Sequence, residues 1–129
     1  MRVKTYNPTS TPTRVWRAPA IGVAFRTGVF TLNRAAINKL DLKHGDMVQF
    51  HQDEDNPEDW YIEKVKANGF VLREAGKSCN LVFNSKPLAI SIFESVAYEK
   101  SGGRMPIGEE FIHGKSHLWA VVTAKLLND

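Results

Sequence analysis

Apolar and polar residues alternate from Ile21 onward in a pattern that occurs twice. Phe25, Phe30 and Leu32 alternate with polar positions such as Arg26 and Thr31, the period of a half-buried strand, and Thr27-Gly28 between them reads as a tight connection. Asn33 is placed to cap the segment that follows, because its side-chain oxygen can accept from the unpaired amides of a first helical turn. Ala36, Ile37 and Leu40 then share one face of a two-turn helix over residues 34–40. Lys43-His44-Gly45-Asp46 ends that helix and leads into a strand at Met47-Val48-Gln49-Phe50, with Val48 and Phe50 pointing one way. Gly45 permits a positive φ at this junction, and Asp46 can accept hydrogen bonds from turn amides. The acidic run from Asp53 to Asp59 reads as a solvated hairpin tip before Trp60-Tyr61-Ile62, where Trp60 and Ile62 share a face.

A second copy follows the same order. Phe70-Val71-Leu72-Arg73 reads as a strand, Gly76-Lys77 as a turn, Leu81-Val82-Phe83-Asn84 as a second strand, and Asn84 takes the capping place of Asn33. Leu88, Ala89, Ile92, Phe93 and Val96 form a broad apolar stripe on a helix that is longer and more buried than the first, with Pro87 tolerated in its first turn. Ser101-Gly102-Gly103 lengthens the return, Ile107-Gly108-Glu109 matches the turn at Gly45, and Glu110-Phe111-Ile112 is the strand after it. The last strand, Leu118 to Leu127, is apolar on both faces and is expected to be central or to line a subunit interface.

These elements predict a mainly β (α+β) fold, a barrel-like pseudo-twofold duplication of two ββαβ-type halves with two short helices. One domain over residues 21–129, made of repeats at about 21–65 and 68–127, follows a flexible basic arm over residues 1–20 that is rich in Pro and Thr. A chain of 129 residues is long enough to bury a hydrophobic core without staples. Cys79 is the sole cysteine and cannot close an internal disulfide. No apolar run reaches membrane-span length and the first residues lack the apolar core of a secretory signal, so a cytoplasmic protein with no membrane partner is expected.

Charge is uneven along the chain although the net value is only +3. Residues 1–50 carry Arg2, Lys4, Arg14, Arg17, Arg26, Arg34, Lys39 and Lys43 against Asp41 and Asp46, whereas the remainder is net acidic. Such asymmetry fits a face or arm attracted to a polyanion, most often nucleic acid, and equally an unevenly charged solvated surface. Tyr6 and Trp16 beside Arg14 and Arg17 suit stacking on nucleic acid or docking on the chain's own domain.

The stretch from Thr27-Gly28-Val29-Phe30-Thr31-Leu32-Asn33 through Leu40-Asp41-Leu42-Lys43-His44-Gly45-Asp46-Met47-Val48 resembles the AbrB/MazE/SpoVT family of swapped-hairpin DNA-binding proteins. Its Leu-x-Leu-x-x-Gly-Asp element carries the likeness, which covers residues of about 21–65. In that family two halves from separate chains interlock, and the resemblance implies that the second copy supplies the partner half here. It also implies that Arg26 and Arg34 meet DNA, with Lys39 and Lys43 as flanking phosphate contacts. The chain departs from the family in lacking a proline at the first helix start and in carrying few cations in its second copy. Arg14, Arg17, Arg26, Arg34 and Lys86 are expected to form one electropositive surface.

Enzymatic constellations are missing from the sequence. His113 and His117 flank Gly114-Lys115-Ser116, and a three-residue hairpin would set them across from each other, but two ligands make a poor metal site. The Asp53 to Asp59 cluster lacks the spacing of a calcium loop, and Cys79 has no histidine near it in sequence to form a thiolate pair. No cofactor, metal or small-molecule substrate is expected. The leading expectation is a non-enzymatic DNA-binding protein, an AbrB- or antitoxin-like transcriptional regulator. The alternative is a protein-interaction or assembly module that oligomerises through the apolar C-terminal strand.

Overall fold

The alternating segments become strands in the computed structural model, which describes residues 18–76, 79–96 and 102–123. The elements in order are β1 (Ala20–Ala24), β2 (Val29–Leu32), α1 (Arg34–Leu40), β3 (Met47–Gln52), β4 (Trp60–Val65), β5 (Phe70–Val71), β6 (Arg73–Glu74), β7 (Leu81–Asn84), α2 (Lys86–Val96), β8 (Gly102–His113) and β9 (Ser116–Val121). The fold is mainly β, as expected, with two short helices. All but three residues of the expected arm lie outside the described residues, and Ala20 already opens β1.

All strands belong to one antiparallel sheet of order β5-β3-β4-β9-β8-β1-β2-β7-β6. Its two end strands are consecutive in the chain and separated only by Leu72, so the sheet comes round into a nearly closed barrel. The sequence reads Phe70 to Arg73 as one strand, but the chain changes partner at Leu72. Phe70 and Val71 pair with β3, whereas Arg73 and Glu74 pair with β7. Leu72 is fully buried, and its amide donates to the Asp46 carbonyl while its own carbonyl accepts from the Gly45 amide, each at 2.8 Å. The corner therefore keeps its backbone groups satisfied.

The interior is filled from both ends of the chain. Phe30 of β2 stacks on Phe83 of β7 with centroids 4.7 Å apart and planes 3° from parallel, and Phe70 stacks on the same ring at 4.8 Å. Phe50 of β3 tilts against Phe30 and Phe83. Removing a ring of this kind to alanine costs about 3–5 kcal/mol. The helices cover opposite ends of β4. Near its end the Lys64 ammonium donates to the Asp41 carbonyl beyond α1, and at its start the Trp60 indole donates to Ser95 Oγ of α2.

Local signals of the first half hold in detail. Asn33 Oδ1 accepts from the Ala36 amide at 2.9 Å, and Ala36, Ile37 and Leu40 are buried. Asp41 ends the helix in the left-handed region, Gly45 has φ +92°, and Asp46 Oδ2 accepts from the Lys43 amide. The second half departs from its expected form. The helix cap is Ser85, whose hydroxyl accepts from the Leu88 amide, because Asn84 remains in β7 and accepts from Arg73 Nη2. Helix α2 is longer than α1, yet only Ala89 and Ile92 are fully buried on it.

Gly102 and Gly108 do not form a lengthened return. Both lie within β8, where a side chain on Gly102 would come within 2.7 Å of the Val23 carbonyl oxygen and one on Gly108 would crowd Ala120 and Val122. These glycines serve close strand approach and a register shift between Ile107 and Glu110, not a turn. The last strand also ends earlier than expected, at Val121. It is central, lying between β4 and β8 with Leu118 and Val121 buried on opposite faces; Ala124, Leu126 and Leu127 lie outside the described residues.

The β1–β2 turn rests directly on the start of α2. Gly28 has φ +78°, its carbonyl accepts from the Ser85 amide, and a Cβ there would lie 2.6 Å from the Lys86 nitrogen. Gly28→Ala is therefore expected to lower stability by about 2–3 kcal/mol in urea unfolding, since strain and collision add. Gly45→Ala, with a similar φ but open space around it, should cost only about 1 kcal/mol.

Candidate functional site

Two surfaces on opposite sides of the barrel carry the chemistry. The first is the outward face of β8, β1, β2, β7 and β6. Inward residues such as Ile21, Phe30 and Phe83 are buried, so their neighbours point out. Register places Arg104, Gly22, Thr31, Val82 and Arg73 in one row across five strands. At 4.8 Å per strand the row spans about 19 Å. Gly22 and Thr31 in the row are half-buried and Val82 is buried, with Arg104 and Arg73 at its two ends.

Arg26 lies exposed on the β1–β2 turn and Lys86 exposed at the start of α2, and the Gly28–Ser85 hydrogen bond brings the two elements together. Arg34 begins α1 at the other end of β2, roughly 13 Å away along the strand. Lys39 stands over the Trp119 ring at 5.3 Å, and Lys43 is exposed on the loop after α1. Arg14 and Arg17 lie outside the described residues. The structure thus joins Arg26 and Lys86, sets Arg34 apart, and places Lys39 and Lys43 with α1. Among the described residues of β1, β2, β6, β7 and their turns, Glu74 is the sole carboxylate.

Arg104 escapes sequence reading because Gly102–Gly108 has the composition of a turn. Only its alternation with the buried Gly103 and Met105 marks it as an outward strand residue.

The second surface is the outward face of β3, β4, β9 and the far end of β8. Tyr61, Phe111 and Leu118 line a groove of about 400 Å³ with His51, Gln52, Asp53, His113 and Ser116. Tyr61 and Phe111 have ring centroids 5.9 Å apart, and Phe111 lies nearly parallel to His113 at 6.4 Å. Beside the groove Glu63 Oε1 accepts from Gln49 Nε2 at 2.9 Å and lies 2.8 Å from His51 Nε2. Burial pushes the Glu63 carboxyl up, but hydrogen bonds from Gln49, His51 and Ser116, with the His51 charge, outweigh it and hold the group below its ordinary range. Sequence reasoning missed this groove because its three segments, His51 to Asp53, Tyr61 and Phe111 to Leu118, are brought together only by the pairing of β3, β4, β9 and β8.

His113 and His117 do not converge as a three-residue hairpin would require. The loop is the two residues Gly114 and Lys115, so His113 pairs with Ser116 and His117 with Ile112, putting the imidazoles on opposite faces. His117 Nδ1 instead lies 3.0 Å from Glu110 Oε2. Among the described residues no three His, Cys, Asp or Glu side chains gather as metal ligands, and no helix is long and apolar enough to cross a membrane.

Because the folded Glu63 pKa lies below its unfolded value near 4.5, its stabilising contribution is complete above that value and is lost as pH falls through the folded pKa. Urea midpoints measured from pH 6 down to 3 should fall less steeply for Glu63→Gln than for the native chain. Equal slopes would show that the cluster does not hold the carboxylate.

Comparison with known proteins returned no matching family model, no matching curated protein and no matching solved structure.

Proposed function

We propose that this chain is a non-enzymatic duplex-DNA-binding protein of swapped-hairpin architecture, with its two halves related by a pseudo-twofold axis and its DNA surface centred on that axis. The reading rests on one observation: Arg26, Arg73, Lys86 and Arg104 lie on or beside the contiguous strands β8, β1, β2, β7 and β6, with Arg34 at the far end of β2, and among the described residues of β1, β2, β6, β7 and their turns Glu74 is the sole carboxylate, while the acidic residues of the β3–β4 loop stand on the other part of the sheet. A row about 19 Å wide faces on the order of ten phosphate charges of a duplex.

The pairing diagram supports the symmetry. Exchanging the halves turns β1·β2 into the β6·β7 pair, β3·β4 into β8·β9, and β1·β8 into β5·β3. Thr31 then corresponds to Val82 and Tyr61 to Ala120, and each of these is also a cross-strand pair, as residues flanking a twofold must be. The Thr31–Val82 pair lies in the middle of the arginine-flanked row. A twofold protein surface matches the local dyads of duplex DNA. Arg26 and Arg34, expected from the family resemblance to meet DNA, flank the same β2·β7 pair, with Arg73 and Arg104 adding phosphate contacts. A regulator or antitoxin-like role is the corresponding biological assignment.

Fluorescence anisotropy with a duplex of about 20 base pairs tests the proposal. Affinity should fall steeply between 50 and 200 mM salt, with a log–log slope of roughly −0.9 per phosphate neutralised. Arg26→Ala and Arg73→Ala should each weaken binding several-fold and reduce that slope by about one, and Thr31→Glu should abolish binding by placing a carboxylate at the centre. A flat salt response rejects the mechanism. A stable oligomer in sizing chromatography with no DNA binding favours assembly through the C-terminal strand instead.

A further inference from the structure

We infer that the groove between the β3–β4 and β8–β9 hairpins is a binding site for a cationic side chain, arginine or lysine, presented by a basic peptide of a partner protein. This inference goes beyond the DNA reading and uses the opposite side of the barrel. The groove offers Tyr61 and Phe111 as ring faces and Leu118 as an apolar floor, within a volume of about 400 Å³ that suits one long side chain. Ring faces carry the negative part of the aromatic quadrupole and attract ammonium and guanidinium groups. Phe111 is 51% exposed, so apolar surface is present for the aliphatic stem of such a residue.

Charge selects the occupant. The rim holds Asp53 and, following it on the β3–β4 loop, Glu54, Asp55, Glu58 and Asp59. Asp53, which lines the groove itself, accepts from the Asp55 and Asn56 amides, and these bonds hold its carboxyl ionised below the usual range. No lysine or arginine lines the groove, its basic side chains being the imidazoles of His51 and His113; Lys115 sits beyond it on the hairpin loop, exposed. Aromatic faces under a carboxylate rim favour a cation and repel phosphate, so a nucleic acid stacking on these rings is disfavoured.

The test is an NMR titration of the ¹⁵N-labelled full chain with three blocked peptides of equal length, in which arginine, citrulline or glutamate alternates with glycine. The arginine peptide is expected to shift the resonances of Tyr61, Phe111, His113 and Leu118 saturably, with the citrulline peptide at least about tenfold weaker and the glutamate peptide inert. Phe111→Ala and Asp53→Asn, both at the surface, should each weaken the arginine peptide about three- to tenfold while leaving the rest of the spectrum in place. Equal binding of arginine and citrulline peptides would overturn the proposal, as would shifts confined to residues 54–59 that survive Phe111→Ala. Oligothymidylate shifting the groove resonances more strongly would make it a base-stacking site. Concentration-dependent shifts without peptide would assign the groove to a second copy of the chain. None of these outcomes involves duplex binding, so the two readings fail separately.

Discussion

Each of the seven strands between the two ends of this sheet lies between one partner from its own half of the chain and one from the other half. β1 pairs with β2 and with β8, β3 with β4 and β5, β7 with β6 and β2, and β9 with β8 and β4. Taken alone, either half is a set of hairpins with unpaired edges and an exposed apolar face, which is not independently stable. The stack of Phe30, Phe83 and Phe70 is the packing counterpart of this rule, since it draws on both halves for a single interior. Closure, core and surface all follow from the same interdigitation.

The interdigitation also explains how one small domain separates its charges. Strands β1, β2, β7 and β6 are contiguous in the sheet although they come from distant parts of the chain, so Arg26 and Lys86 become neighbours. Strands β3, β4, β9 and the end of β8 gather the carboxylates and the aromatic groove on the other side. A net charge of +3 conceals this arrangement, and the excess of cations in the first fifty residues describes only part of it.

Signals within about ten residues of each other were legible in the sequence: the Asn33 cap, the helix face of Ala36, Ile37 and Leu40, the left-handed Gly45 and the acidic hairpin tip all stand as read. The signals that failed depend on tertiary contact. Gly102 and Gly108 have turn composition, yet they are strand residues because Val23 and Ala120 approach them closely. Leu72 has strand composition, yet it breaks the ladder because its amide and carbonyl are taken by Asp46 and Gly45. Asn84 has the chemistry of a cap but is held by Arg73, leaving Ser85 to cap α2. The row from Arg104 to Arg73 and the groove of Tyr61 and Phe111 are products of register, which local periodicity does not encode.

Vectorial synthesis gives the interlocked pairing a kinetic meaning. When residues up to Val65 have left the ribosome, β1, β2, β3 and β4 each lack the neighbour that will flank them, and those neighbours have still to emerge. A nascent chain in that state displays open strand edges for several seconds at ordinary translation speeds of about 5–20 residues per second. Productive ordering must await the final hairpin, so the protein acquires its shape late and nearly all at once, and premature termination anywhere before β9 leaves an aggregation-prone fragment and not a smaller working domain.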